Sequence, residues 1–239
     1  MRPDVIDLNQ FYEDRAGQVA RRLVRRCLRQ IWPQVDGLSL MGLGYATPYL
    51  RPFVDEAERV FAVMPASQGV LHWPPDGTSL VALSDETELP FEDASIDRLL
   101  LVHGLENSEQ VRPMLREIWR VLAAGGRLLA VVPNRRGIWA RFDSTPFGHG
   151  HPFTPGQLTG LLRETMFSPT VVSAALYMPP SKSRAMLRFA PAVERLGQRW
   201  GRPFAGVLVV EAGKQIYAVS ASRRKRLRPQ VQPALPAAR

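Results

Sequence analysis

Asp85-Glu-Thr-Glu-Leu-Pro-Phe91, Ile96-Asp-Arg-Leu-Leu-Leu-Val-His103, Met114-Leu-Arg-Glu-Ile-Trp-Arg-Val-Leu122 and Ala124-Gly-Gly-Arg-Leu-Leu-Ala-Val-Val-Pro-Asn134 follow one another in a single stretch. They read as an acidic loop, a buried strand, an amphipathic helix, a Gly-Gly turn and a second buried strand. A continuous apolar run bounded by turns suits a strand covered on both faces, and apolar residues at three-and-four spacing suit a helix lying across it. The stretch therefore reads as a strand–helix–strand unit, the back half of a larger alternating fold whose front half lies around Gly42.

Working outward, Leu38–Gly42 predicts a first buried strand running into a glycine turn, with a helix over 48–57. Arg59–Met64 predicts a second strand and Ser79–Leu83 a third, separated by the proline- and glycine-rich loop 65–77. Ile96–Val102 and Arg127–Val132 are the fourth and fifth, with a helix over 108–122 between them. Beyond Asn134 the pattern changes. A loop over 135–153 carries Trp139, Phe142, Phe147, His149 and His151, and reads equally as a lid over an apolar substrate or as core. Thr154-Pro155 opens a helix to about residue 164, with Thr154 as its cap. Strands over 170–177 and 207–219 enclose a basic helix at about 181–200, which suits an antiparallel hairpin carrying a cap.

Strands alternating with helices imply a mostly parallel seven-stranded sheet with helices on both faces. Right-handed crossovers bring the strand ends Gly42, Met64, Asp85, His103 and Pro133 to one edge, where ligands of such sheets bind.

The net charge of +9 sits at the ends of the chain. Residues 15–35 hold six arginines and no acid, residues 221–239 hold six basic residues and no acid, and 36–220 is neutral overall. We divide the chain into an N-terminal basic amphipathic helix (1–35, helical over 11–32), a central domain (36–220) and a basic, disordered tail (221–239). The arginine face is either a solvated helix face or a contact for an anionic partner, RNA or a membrane surface. No apolar run is long enough to span a bilayer and no secretory signal is evident, so a cytoplasmic location is expected. The single cysteine, Cys27, falls on the apolar helix face and is expected in the core.

With these residues in view, the chain resembles the class I S-adenosylmethionine-dependent methyltransferases, a Rossmann-like fold, and in particular their methyltransferase type 11 branch. The resemblance spans about 36–134. It rests on Asp85, Leu89-Pro90-Phe91, Asp93, Ser95, Asp97, His103, Leu105-Glu106, Leu115-Arg116-Glu117, Arg120-Val121-Leu122 and Gly125-Gly126. It implies S-adenosylmethionine as cofactor and methyl donor, held by Gly42, Gly44, Met64, Asp85, Glu86 and His103, with Asp85 at the adenine amino group. His103 is the candidate catalytic base, since an imidazole takes a proton near neutral pH; its other reading is a histidine that shapes the pocket. The front half departs from the family pattern. Leu40 replaces an acid that orients the methionine end, Ala46 replaces the third glycine, and Met64 replaces the acid that takes both ribose hydroxyls. Gln68 is a candidate replacement for that acid.

The implied function is methyl transfer to a small or lipophilic acceptor. The alternatives are an inactive binding module on the same fold, and an RNA methyltransferase or RNA-binding protein. His149-Gly-His151 has too few companion ligands for a metal, and none is expected.

Overall fold

A computed structural model describes residues 3–181, 183–200 and 204–215. Seven strands form one sheet: β1 (Ser39–Gly44), β2 (Arg59–Pro65), β3 (Val81–Ser84), β4 (Ile96–Val102), β5 (Leu122–Pro133), β6 (Phe167–Ala175) and β7 (Val207–Lys214), in the order β3-β2-β1-β4-β5-β7-β6. The pairs from β3 through β5 are parallel, and β7 runs antiparallel to both β5 and β6. The late hairpin expected around an inserted helix is present. The tail at 221–239 lies outside the described residues.

Both faces of the central strands are covered because β1, β4 and β5 are apolar along most of their length. Leu40, Leu100, Val102, Leu129 and Val131 join one buried cluster, with the N-terminal helices. Their neighbours Met41, Leu43, Leu99, Leu101 and Leu128 join the other, with α4 (Val111–Val121) and α5 (Pro155–Glu164). Successive side chains of a strand point to opposite faces, so each strand feeds both layers. The α5 start is fixed as the sequence indicated: Thr154 and Gln157 form a reciprocal capping box, with Pro155 in the first turn.

The motif residues of the opening stretch hold β4 and α4 together. Arg120 donates to the carbonyls of Leu89 and Phe91, pairs with Asp93 at 2.6 Å and with Glu117 at 2.5 Å, while Glu117 accepts from the Leu89 N–H. The Leu-Pro-Phe-x-Asp loop is thus stapled to the Leu-Arg-Glu-x-x-Arg helix far from the strand ends.

The N-terminus differs from the single helix expected over 11–32. It forms two helices, α1 (Val5–Glu13) and α2 (Arg15–Ile31), broken at Asp14, whose backbone is extended. The Asp4 carboxylate caps α1 by accepting from the N–H groups of Ile6 and Asp7. Gly17 forms the corner: a Cβ there would fall 1.9 Å from the Phe11 carbonyl oxygen. Periodicity carried across the break because Leu8 and Tyr12 bury a face continuous with Ala20, Leu23, Val24 and Cys27. The Val5 N–H donates to the Gln68 carbonyl at 2.8 Å, which seats α1 on the loop after β2. Other boundaries shift modestly. β1 runs on through Gly44, β5 begins at Leu122, and the helix expected over 48–57 is the single turn α3 (Thr47–Leu50) followed by a 3-10 turn, because Pro52 interrupts it.

Candidate active site

The strand ends meet most closely at β1 and β4. Gly44 has φ +79°, and a Cβ on it would stand 2.3 Å from the Val102 carbonyl oxygen and 3.0 Å from the Gly104 nitrogen. Only glycine satisfies both the backbone conformation and the contact. Gly42 is a packing glycine, since a Cβ there would lie 2.6 Å from Leu50 Cδ1. Ala46 has right-handed helical backbone at the start of α3, so the lost third glycine is tolerated there. Leu40 is fully buried in mid-strand and works as core.

His103 leaves β4 with φ +52°, a rare conformation for a residue with a side chain. Its ring is completely buried. Nδ1 lies 3.2 Å from Glu106 Oε1, and Nε2 lies 2.7 Å from the hydroxyl of Tyr12, which is in turn 2.9 Å from the Tyr49 hydroxyl. The Tyr12 ring stacks on Tyr45, and Phe147 from the 135–153 loop covers the imidazole at 4.9 Å between centroids. Burial pushes the Tyr12 and Tyr49 hydroxyls well above the ordinary phenol range, and pushes Tyr45 up to about 12. The cluster is three phenols gathered around the buried side chains of His103 and Glu106.

Three amide and carboxyl groups crowd the same strand end. The Gln68 amide donates to the His103 carbonyl, reaching from the end of β2 to the end of β4 over β1, which lies between them in the sheet. The Asn107 amide donates to the same oxygen at 3.1 Å. Gln68 Oε1, Asn107 Oδ1 and Glu106 Oε2 are buried without a hydrogen-bond partner. Buried oxygens of this kind are almost always partnered in folded proteins, so each of the three asks for a donor. Hydroxyl, amine and ammonium groups on a bound molecule would satisfy them. S-adenosylmethionine carries all three, so the residues present fit it.

The remaining expected residues divide between two hollows. Met64 is buried and lines a cleft of about 630 Å³ with Tyr12, Tyr45, Thr47 and Trp73. Asp85 and Glu86 line a smaller hollow of about 160 Å³ with Ala66, Ser67, Glu109 and Gln110. The Asp85 carboxylate accepts from the N–H and hydroxyl of Thr87, which hold it below its usual range. Gln68, in the turn between the two hollows, closes the direct path over β1. The 135–153 loop is anchored at this edge rather than free: the His151 N–H donates to the Glu106 carbonyl, and Trp139 and Phe147 are buried.

Tyr12, Tyr45, Tyr49 and Asn107 escaped the sequence reading. Tyr45 and Tyr49 immediately follow the Gly-x-Gly turn, and that position was their visible mark. Tyr12 could have been found only by recognising Asp4 as the cap of a separate helix.

Comparison with known proteins bears on the fold that carries this site. Residues 40–130 match the methyltransferase domain family. The chain is 31% identical over 133 residues to the ubiquinone/menaquinone biosynthesis C-methyltransferase of Rubrivivax gelatinosus, covering 54% of this chain and 51% of that one. It is 29% identical over 109 residues to the demethylmenaquinone methyltransferase of Thermus thermophilus, covering 45% and 49%. The chain spans about half the length of these curated relatives. Among solved structures, an S-adenosylmethionine-dependent methyltransferase of Thermotoga maritima shares the fold, with a TM-score of 0.62 at 16% identity over 88% of this chain and 96% of that one. The fold is that of the class I methyltransferases. Residues 40–130 thus match a methyltransferase domain set within that fold.

Proposed function

We propose that the protein transfers a methyl group from S-adenosylmethionine to a phenolic ring on a lipophilic molecule, and that His103 is the base. The three unpartnered oxygens around His103 are the observation that carries this reading. Gln68 Oε1 stands in for the ribose-binding acid that Met64 replaces. Glu106 Oε2 and Asn107 Oδ1 offer acceptors to the cofactor's remaining donors. When bound, the cofactor supplies a methyl group that is already activated for displacement.

The protein's own part is to place and deprotonate the acceptor. With Nδ1–H donating to Glu106, Nε2 of His103 presents its lone pair to the Tyr12 hydroxyl. A phenol therefore already occupies the slot, ring-stacked on Tyr45 and hydrogen-bonded to the base. An acceptor phenol entering as α1 withdraws would take the same contacts. His103 would draw its proton and enrich the ring carbons beside the oxygen. The carbon that took the methyl would pass its own proton back to that oxygen, leaving S-adenosylhomocysteine as the departing thioether and the drawn proton on His103 for release to solvent. The names of the two curated relatives, a ubiquinone/menaquinone biosynthesis C-methyltransferase and a demethylmenaquinone methyltransferase, suggest a hydroquinone acceptor.

The test is transfer of labelled methyl from S-adenosylmethionine to a short-chain prenyl hydroquinone. His103→Ala should lower the rate by about 10²–10⁴-fold, the usual share of a general base, while binding S-adenosylhomocysteine within a few-fold of wild type. Equal rates in the two proteins would remove His103 from the chemistry.

A further inference from the structure

α6 (Arg184–Trp200) divides its surface into three faces. One faces inward: Ala190 and Glu194 are buried, and Gly197 lies so close to Tyr177 that a Cβ would fall 2.2 Å from its ring. Glu194, the only acid of this helix, accepts from the N–H groups of Leu176 and Tyr177 at 3.0 and 2.9 Å, so no negative charge is presented outward. A second face carries Met186, Phe189, Val193 and Leu196, at i, i+3, i+7 and i+10, which is one stripe of a helix. All four are solvent-exposed, Phe189 at 66% and Leu196 at 64%. The third face is arginine: Arg184, Arg188, Arg195 and Arg199. Arg184 and Arg188 look across a groove at Arg15 and Arg22 of α2, with no acid in its lining.

Further exposed apolar side chains lie on segments that border the site. Phe204, before β7, is 70% exposed, and Ile138 and Phe142 are exposed on the loop whose Gly137 abuts Ala205. That same loop brings Phe147 onto His103.

We propose that α6 is an interfacial helix that docks this edge of the molecule onto an anionic phospholipid bilayer. The apolar stripe would enter the acyl boundary while the arginines of α6 and α2 take lipid phosphates. Arginine stems reach to headgroups from the flank of such a helix. No helix among the described residues is long and apolar enough to cross a membrane, so the contact lies in the plane of the surface. RNA would neutralise the arginines but leave the stripe in water. A second copy would cover the stripe but, in a two-fold contact, set like arginine rows near one another. A lipid surface satisfies both faces at once. The inference deepens the reading of a lipophilic acceptor and rests on it for its purpose, since such an acceptor would be drawn from the bilayer beside the site.

The experiment is flotation of the full chain with vesicles of phosphatidylcholine alone and of phosphatidylcholine with phosphatidylglycerol. The chain should float with the mixed vesicles and retain part of that binding at high salt. Phe189→Ser with Leu196→Ser should cut the vesicle-bound affinity by at least about tenfold and leave the unfolding midpoint unchanged, because both side chains are exposed. Three results would overturn the proposal. The first is no flotation of wild type, with or without RNA binding. The second is flotation unaffected by the double substitution, which would assign the charge contact elsewhere. The third is a dimer that the double substitution splits without any vesicle binding. Failure to bind S-adenosylhomocysteine with flotation intact would sink the catalytic reading and leave this surface standing.

Discussion

The Tyr12 hydroxyl, carried by the N-terminal helix, stands 2.7 Å from Nε2 of His103 at the end of β4. These residues are far apart in the chain, and the contact closes the edge where the fold places its chemistry. Because Tyr12 also bonds Tyr49 and stacks on Tyr45, α1 is tied to the strand ends by one buried phenol.

Tyr12→Phe removes the hydroxyl and leaves His103 Nε2 and the Tyr49 hydroxyl buried with one partner fewer. Stability by denaturant titration should fall by about 1–3 kcal/mol. If Tyr12 holds the slot against ligands, the same change should tighten binding of a hydroquinone acceptor, because the closed form loses stabilisation that the open form never had. Weaker acceptor binding in Tyr12→Phe would show that the hydroxyl helps the ligand.

Alkaline titration tests the burial of the phenol cluster. Burial raises the folded values of Tyr12, Tyr45 and Tyr49 above their unfolded value near ~10, Tyr45 to about 12. The stability from keeping them neutral is fully present below that unfolded value and lost as pH rises through the folded ones. Tyrosinate absorbance from these three should therefore appear only above about pH 10, together with loss of near-ultraviolet dichroism. Their smooth ionisation near the ordinary value, with the fold intact, would contradict the closed cluster.

At the acid end the staple between α4 and the Leu89–Asp93 loop should dominate. The hydrogen bond from Arg120 holds the Glu117 carboxyl below its usual range. Its contribution is present above the unfolded value and lost as pH falls through the depressed folded one. Glu117→Gln should cost about 1.5–3 kcal/mol near neutral pH, toward the low end because Arg120 is partly exposed. The gap from wild type should close in acid. A gap independent of pH would mean that packing, not charge, is lost.

Much of this fold was legible because its central strands are continuous apolar runs and its turns are marked by glycine and proline. The Leu89-Pro90-Phe91, Glu117 and Arg120 pattern stood out because one ion-paired network needs those residues at that spacing. The site was less legible. Asp85 was readable as a strand-end acid, but its carboxylate is turned to Thr87, and Met64 and Asp85 line separate hollows. The missing part was long-range. Gln68 crosses over β1 to His103, and Tyr12 arrives on a helix whose start is marked only by Asp4. Neither contact leaves a local pattern, because both depend on how distant segments meet.

The central claim is that the edge around His103 holds S-adenosylmethionine through oxygens the chain leaves unpartnered. Calorimetric titration of S-adenosylhomocysteine into the full chain, and into Gln68→Leu, tests it most directly. The account predicts one saturable site in wild type and affinity lowered by about tenfold or more in Gln68→Leu, the worth of one hydrogen bond of about 1.5 kcal/mol. Absence of binding at millimolar ligand, or equal affinity in the two proteins, would contradict it.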